Sequence, residues 1–196
     1  MSSQASFPVQ HGRGYTLRPG TPADLDVLAR IFQRYQVEIQ PFTGDTETLP
    51  LRACRRQLRA AMARSCGAVL VVDCGQVLGF CIVRIVWRQA HRTGGWFQGL
   101  AARVCFHLLA WIPWAARGRP VSGSMTAIAY LDDVYVAPEG RRQGLALPLF
   151  RYAFSWARAQ GVTVMEGATW ADNHTMLRLA KHLDIQVVRV LLRKQL

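Results

Sequence analysis

The residues best able to do chemistry lie in one stretch, Ala127 to Gly161, AIAYLDDVYVAPEGRRQGLALPLFRYAFSWARAQG. It holds two neighbouring carboxylates, Asp132 and Asp133, followed by the loop Arg141-Arg142-Gln143-Gly144-Leu145-Ala146 where a helix begins. The first amides of a helix have no acceptor within the helix, and the macrodipole is positive there. With two guanidinium groups added, such a loop is suited to a phosphorylated ligand. The dinucleotide fingerprint Gly-x-Gly-x-x-Gly and the triphosphate loop ending Gly-Lys-Ser/Thr are both missing, so neither of those ligands is implied. Asp132 and Asp133 are consecutive in a strand, which sends their side chains to opposite faces, and only one can then line a given cleft.

These residues are positioned by a strand over Ala127 to Val136, a turn opened by Pro138, and a helix closed by Gly161. Upstream, Tyr15 to Arg18 reads as a short strand. Thr21 and Pro22 then open a helix on which Leu25, Leu28, Ala29, Phe32 and Tyr35 share one face. Pro41 to Pro50 reads as a loop and Leu51 to Ser65 as a second helix with its arginines in water. Ala68 to Asp73 and Val77 to Trp87 are β-branched runs on either side of Cys74-Gly75-Gln76, a hairpin. Downstream come a strand over Val162 to Thr169, a helix over His174 to Leu183 capped by Asn173, and a last strand over Gln186 to Arg193, buried on at least one face.

The loop Arg141 to Ala146 resembles the Arg/Gln-x-x-Gly-x-Gly/Ala loop of the GNAT superfamily of N-acetyltransferases. The preceding LDDVYVAPEG, the opening RPGTPADLDVLARIF and the element order extend the resemblance over residues 14–196, apart from an insertion at 88–124. The resemblance implies a mixed, mostly antiparallel twisted α/β sheet flanked by helices, with the hydrophobic helical insertion between the third and fourth strands. It also implies acetyl-CoA as cofactor and an amine-bearing acceptor as partner. Main-chain groups at Val134, Tyr135 and Val136 would hold the pantetheine arm like a neighbouring strand. Arg141, Arg142, Gln143, Gly144, Leu145 and Ala146 would hold the pyrophosphate, and Asn173 is carried over to the cofactor site. A carboxylate on this strand commonly accepts the amine proton in the family, which makes Asp133 the first catalytic candidate and Asp132 the second.

The frame Asn-x-x-Ala-x-x-Leu-Tyr-x-Lys-x-Gly-Phe, whose tyrosine protonates the departing sulfur in many members, reads here from Asn173 to Ile185 with Ala180 at the tyrosine and Asp184 at the glycine. The resemblance therefore implies direct acetyl transfer to a primary amine in a ternary complex. The alternative, raised by Ala180, is a non-catalytic acyl-CoA-binding sensor or interaction module. His182 falls two residues past the tyrosine position and reads as structural, whereas His174 is better placed for a substrate contact.

The net charge is +12, with 24 Lys and Arg against 12 Asp and Glu, a field that attracts polyanions or the phosphates of a cofactor. It disfavours polyamine acceptors and favours an acidic peptide, an anionic small molecule or an amine on a larger polyanion. No recognition-helix or zinc signature supports specific nucleic-acid reading. The five cysteines (Cys54, Cys66, Cys74, Cys81, Cys105) have no C-x-x-C spacing, which argues for reduced residues in a cytoplasmic protein and against a metal site. Residues 1–13 read as a flexible tail before a single domain at 14–196. Within the insertion, the apolar run between Arg103 and Arg117 is broken by Pro113 and too short to cross a bilayer. Its Trp96, Phe97, Trp111 and Trp114 suit packing over the sheet or a homodimer contact best. A lid on the acceptor site is the next reading, and peripheral membrane contact through 96–114 the least favoured.

Overall fold

The run GAVLVVD, residues 67–73, carries no polar side chain before its end, and a strand of that composition needs apolar cover on both faces. The computed structural model, which describes residues 7–44, 46–89 and 125–188, places it as β3 (Gly67–Asp73) inside a six-stranded sheet. The other strands are β1 (Gln10–Gly12), β2 (Tyr15–Pro19), β4 (Val77–Gln89), β5 (Met125–Val136) and β6 (Met165–Gly167). Their spatial order is β1-β2-β3-β4-β5-β6; every pair is antiparallel except β5 with β6, which is parallel.

Among the described residues four α-helices cover the two faces: α1 (Leu25–Thr43), α2 (Leu51–Met62), α3 (Ala146–Ala159) and α4 (His174–His182). Val69 and Val71 of β3, with Phe80 and Ile82 of β4, pack under Leu28, Phe32 and Leu58 of α1 and α2. Ala68, Leu70 and Val72 point the other way, with Cys81, Val83, Ala129 and Leu131, against Leu149, Phe150, Ala153 and Trp156 of α3. Met176 and Leu179 put α4 on that second face. Burying a full-sized apolar side chain contributes roughly 1.5–3 kcal/mol, so the two-sided alternation of β3 is what holds the layers together.

The mixed, mostly antiparallel sheet flanked by helices is the expected architecture. The helical insertion at 88–124 falls, from residue 90 onward, outside the described residues, as does Cys105. Three expectations are corrected. Gln10–Gly12, counted in the flexible tail, pairs with β2, because Arg13 and Gly14 close a tight hairpin in which Gly14 has φ 77°. The helix from Leu25 runs through Pro41 to Thr43, since a proline in the last turn removes one hydrogen bond. Gly44, at φ 75°, then ends the helix by donating its N–H to the Gln40 carbonyl at 2.9 Å. Residues 186–188 form no strand, and Val187 and Val188 are 71% and 81% exposed; the rest of the expected last strand lies outside the described residues.

One ion cluster ties β2 to its neighbours. Arg18 donates to both carboxylate oxygens of Asp24, at 2.7 and 2.8 Å, and to Asp73 at 2.8 Å. Asp24 also accepts from the Thr21 amide and hydroxyl. The Arg18 bond holds the Asp24 carboxyl at about 2, against an ordinary 3.8. A carboxyl depressed by folding stabilises fully above 3.8 and loses that contribution as pH falls through about 2. Arg18→Met should lower stability by roughly 1–3 kcal/mol at pH 7 in urea titrations, and the deficit should shrink towards pH 3. A deficit independent of pH would show that packing, not charge, dominates at Arg18.

Candidate functional site

Along one edge β5 is paired over its whole length, from Met125 opposite Gln89 to Val136 opposite Gly79. Along the other edge it meets β6 at three positions only: Ala129 with Met165, Tyr130 with Glu166 and Leu131 with Gly167. Beyond Leu131 the two parallel strands part, so among the described residues the β6-facing backbone of Asp132 to Val136 has no strand partner. Val134, Tyr135 and Val136 thus sit on an open strand edge, and an extended chain could add to it by main-chain hydrogen bonds.

A bulge falls where the strands part. Ile82 pairs with Asp133 and Val83 with Leu131, which leaves Asp132 as the extra residue. The bulge overturns the expectation that the two carboxylates face opposite ways. Asp132 turns to Arg84, whose Nε lies 2.9 and 2.8 Å from its two oxygens, and to Arg64 at 3.9 Å. Asp133 turns to α1, where Oδ1 accepts a 2.8 Å hydrogen bond from the Tyr35 hydroxyl. Arg64 follows α2 and Tyr35 lies on α1, so both carboxylates serve the α1/α2 side.

Their environments differ in kind. Burial pushes the Asp132 carboxyl above the ordinary carboxylate range, opposed by the Arg84 and Arg64 guanidinium groups. Burial also pushes Asp133 up; the Tyr35 hydrogen bond opposes it, and the Asp132 charge adds to it. Burial beside Asp133 raises the Tyr35 phenol well above its usual value, so Tyr35 stays protonated as the donor. Asp132 is therefore a neutralised member of an ion cluster. Among the described residues no cation pairs directly with Asp133, and the Arg84 charge only lowers its pKa from a distance; burial still raises it, and one oxygen is engaged, properties a general base needs.

At the end of β5, Pro138–Gly140 makes a single 3-10 turn, and the chain enters α3 through Arg141 to Leu145. Arg142 has φ 62° and Gly144 φ 73°, both in the left-handed region. Among the described residues no backbone carbonyl accepts from the amides of Arg142 to Ala146, and Pro148 contributes no amide to the first turn of α3. A Cβ added at Gly144 would meet no atom within 4 Å, so space beside the loop is open to a ligand. Gln143 is tied back to the Glu139 carbonyl at 2.8 Å. Arg141 bends towards α1, pairs with Glu38, and stacks 5.4 Å from the Tyr135 ring centroid.

Two hollows of about 400 and 440 Å³ flank α3. One lies against Tyr15 and His11, the other against His182 at the end of α4 and Leu183 just after it, and Arg151 lines both. Neither touches Asp132 or Asp133, so neither hollow coincides with the parting of β5 from β6.

This strand, bulge and loop all lie within a stretch of the chain that a family model matches. The model described as Acetyltransferase (GNAT) family matches residues 28–184. The chain belongs to the GNAT acetyltransferase family. Proteins of this family generally use acetyl-CoA as the acetyl donor. Solved structures similar to this GNAT chain include the tetramutant of the BH1408 protein from Bacillus halodurans, with 16% identity, TM-score 0.67, and coverage of 92% of this chain and 99% of that one. A probable acetyltransferase shares 20% identity at TM-score 0.59, covering 92% and 95%. The aminoglycoside 6'-N-acetyltransferase AAC(6')-IG from Acinetobacter haemolyticus shares 16% identity at TM-score 0.56, covering 91% and 96%. No curated protein sequence matches the chain significantly.

Within the GNAT frame, Asn173 uses its side-chain oxygen to cap α4, accepting from the Met176 amide at 3.1 Å. Asp184 has φ 53°, so the backbone keeps the left-handed turn that the family frame gives to glycine. Five residues of the site were missed from sequence: Tyr35 and Glu38 on α1, Arg64 and Arg84 beside Asp132, and Arg34, which pairs with Glu139 at 2.8 Å. Tyr35 was read as part of a core face, and the three-residue spacing of Tyr35 and Glu38 on α1 was the available signal. Because nothing would crowd a Cβ at Gly144, Gly144→Ala should cost only the left-handed backbone penalty, about 1 kcal/mol in chemical denaturation. A cost above ~3 kcal/mol would mean that the loop is packed and not open.

Proposed function

We propose that this GNAT protein is an acetyl-CoA-dependent N-acetyltransferase that moves acetyl to a primary amine by direct attack in a ternary complex. The observation that carries it is the edge of β5 at Val134 to Val136, which has no strand partner among the described residues, with Asp133 at one end and, at the other, the amides of Gln143 to Ala146, from which no described backbone carbonyl accepts a close hydrogen bond. The pantetheine arm would lie on that edge as an added strand. The loop amides, with Arg142, would take the pyrophosphate, and the thioester would come to rest beside the bulge.

The amine nitrogen then forms a bond to the thioester carbonyl carbon. The C–S bond breaks, the sulfur leaves with the electron pair, and the amine proton passes to Asp133, directly or through a water. Asp133 carries this role better than Asp132 because its hydrogen-bond partner is a neutral hydroxyl, whereas Asp132 is already balanced by two guanidinium groups. The acceptor is an amine on an anionic or acidic carrier, a reading supported by the net charge of +12.

Titration calorimetry should show micromolar binding of acetyl-CoA. Gly144→Glu should abolish it while the fold is retained, and unchanged binding would overturn the loop assignment. For an amine that turns over, Asp133→Asn should lower kcat by roughly 10²–10⁴-fold. Tyr35→Phe removes the bond that holds the Asp133 pKa down, so the acidic limb of the pH–rate profile should move to higher pH. A limb that stays in place would exclude Asp133 as the titrating base. Ala180, at the tyrosine position of the family frame, favours one second reading, an acyl-CoA sensor. That reading predicts normal acetyl-CoA binding with no turnover on any amine.

A further inference from the structure

The α1 face that carries Tyr35 carries Glu38 three residues later, and the two side chains form successive rungs to β5. Tyr35 donates to Asp133, and Glu38 Oε1 accepts from the Tyr135 hydroxyl at 2.5 Å. The other oxygen of Glu38, Oε2, accepts from Nη2 of Arg141. Nε of Arg141 is also engaged, donating to the Val136 carbonyl at 3.1 Å. One turn earlier on α1, Arg34 pairs with Glu139 at 2.8 Å. Arg34, Glu38, Glu139 and Arg141 thus form a charge-balanced bridge from α1 to the turn and loop that follow β5.

Arg141 opens the loop motif, yet its guanidinium is held by a carboxylate of α1. The geometry points to Glu38 as a positioning residue that acts as an internal stand-in for the donor's phosphate. It holds Arg141 and must release it before the guanidinium can reach a pyrophosphate. This inference rests on the acetyl-CoA reading above. A diphosphate brings more negative charge than one carboxylate and takes bidentate guanidinium bonds, so it can win the exchange. The exchange costs the free protein a Glu38–Arg141 pair that is about half exposed, which sets its size: 45% for the Arg141 side chain and 38% for Glu38. After the exchange Glu38 keeps the Tyr135 hydroxyl, and Arg34, four residues earlier on the same helix, lies within an i to i+4 contact of it.

The consequence is that donor affinity is set partly on α1, outside the loop. Calorimetric titration of the full chain with coenzyme A tests it. Glu38→Gln keeps the side-chain shape and its acceptor oxygen for Tyr135 but lacks the competing charge, and should bind coenzyme A roughly two- to fivefold tighter than wild type. Glu139→Gln changes the net charge equally and lies in the same bridge but does not hold Arg141. It should stay within about 1.5-fold of wild type. Arg141→Gln should weaken binding, and adding Glu38→Gln to it should bring no further gain, because the two residues act on one exchange.

Equal effects of Glu38→Gln and Glu139→Gln would overturn the proposal in favour of a diffuse charge effect. A gain from Glu38→Gln that persists without Arg141 would overturn it as well. Failure of wild type and every variant to bind coenzyme A would instead remove the acetyl-CoA reading on which the exchange rests. Thermal melts of the four variants exclude loss of fold as the cause of weaker binding.

Discussion

A strand in the interior of a sheet satisfies its backbone on two edges, and among the described residues β5 does so only as far as Leu131. Beyond that point β4 still holds one edge while β6 has diverged, which leaves amides and carbonyls that need a partner or water. A parallel neighbour that departs after three pairs is possible because β6 is short and its connection from α3 is fixed elsewhere, by Val162 buried at 4% exposure. Every other feature of the site takes its place from this divergence. The bulge sits at its apex, the turn at Pro138 ends it, and α3 begins where the open edge stops.

The bulge also resolves a charge problem. Two adjacent carboxylates on a regular strand would be divided between the α1/α2 face and the α3 face, and the second of these is wholly apolar around Leu131, Leu149 and Phe150. An uncompensated carboxylate there would be costly. With one extra residue at Asp132, both acids reach the polar side, but at different stations. Asp132 meets arginines from β4 and from the end of α2, and Asp133 meets the hydroxyl of Tyr35 on α1. The global charge of the chain is strongly positive, yet the α1/α2 side of β5 carries Asp132 and Asp133, with Glu38 of α1 bonded to Tyr135 farther along the strand. A field of this kind acts at long range on any anion, whereas local pairing sets the charge balance of each carboxylate.

Much of the architecture was legible because its signals are local. The β3–β4 hairpin, the Thr21-Pro22 helix start, the Asn173 cap and the Gly144 loop each rest on residue types whose backbone preferences act within a few positions. The missed parts depend on distant partners. Nothing within YLDDVYV reveals a bulge, since it is set by the register of β4 against β5; Ile82 and Val83 are consecutive, yet their partners are Asp133 and Leu131. The QHG of β1 has no alternation to mark a strand and pairs only because the chain reverses at Arg13-Gly14. Tyr35 was legible as a helix-face residue, but its hydroxyl finds Asp133 across 98 positions of sequence. Pro41 was misread for the opposite reason: a strong local signal for termination was outweighed by a last turn that needs only Gly44 to close it.

The replacement of the family frame's tyrosine by Ala180 acts on the easier of two proton transfers. A thiol has a pKa of about 8.5, so its conjugate base is a competent leaving group near neutral pH without a positioned acid. An amine that becomes a secondary ammonium on attack cannot collapse to amide until it loses its proton, and this step needs a base. The structure shows a polar arrangement on that side, where Asp133 has a fixed hydrogen-bond donor and lies beside a second acid, and leaves Ala180 as an ordinary residue of α4 whose carbonyl accepts the Leu183 and Ile185 amides. On the transferase reading, loss of the acid with retention of the base would leave turnover set by amine deprotonation. Since α1 supplies Tyr35 to that base and Glu38 to Arg141, the same helix face would then touch both the rate-limiting proton and the donor loop.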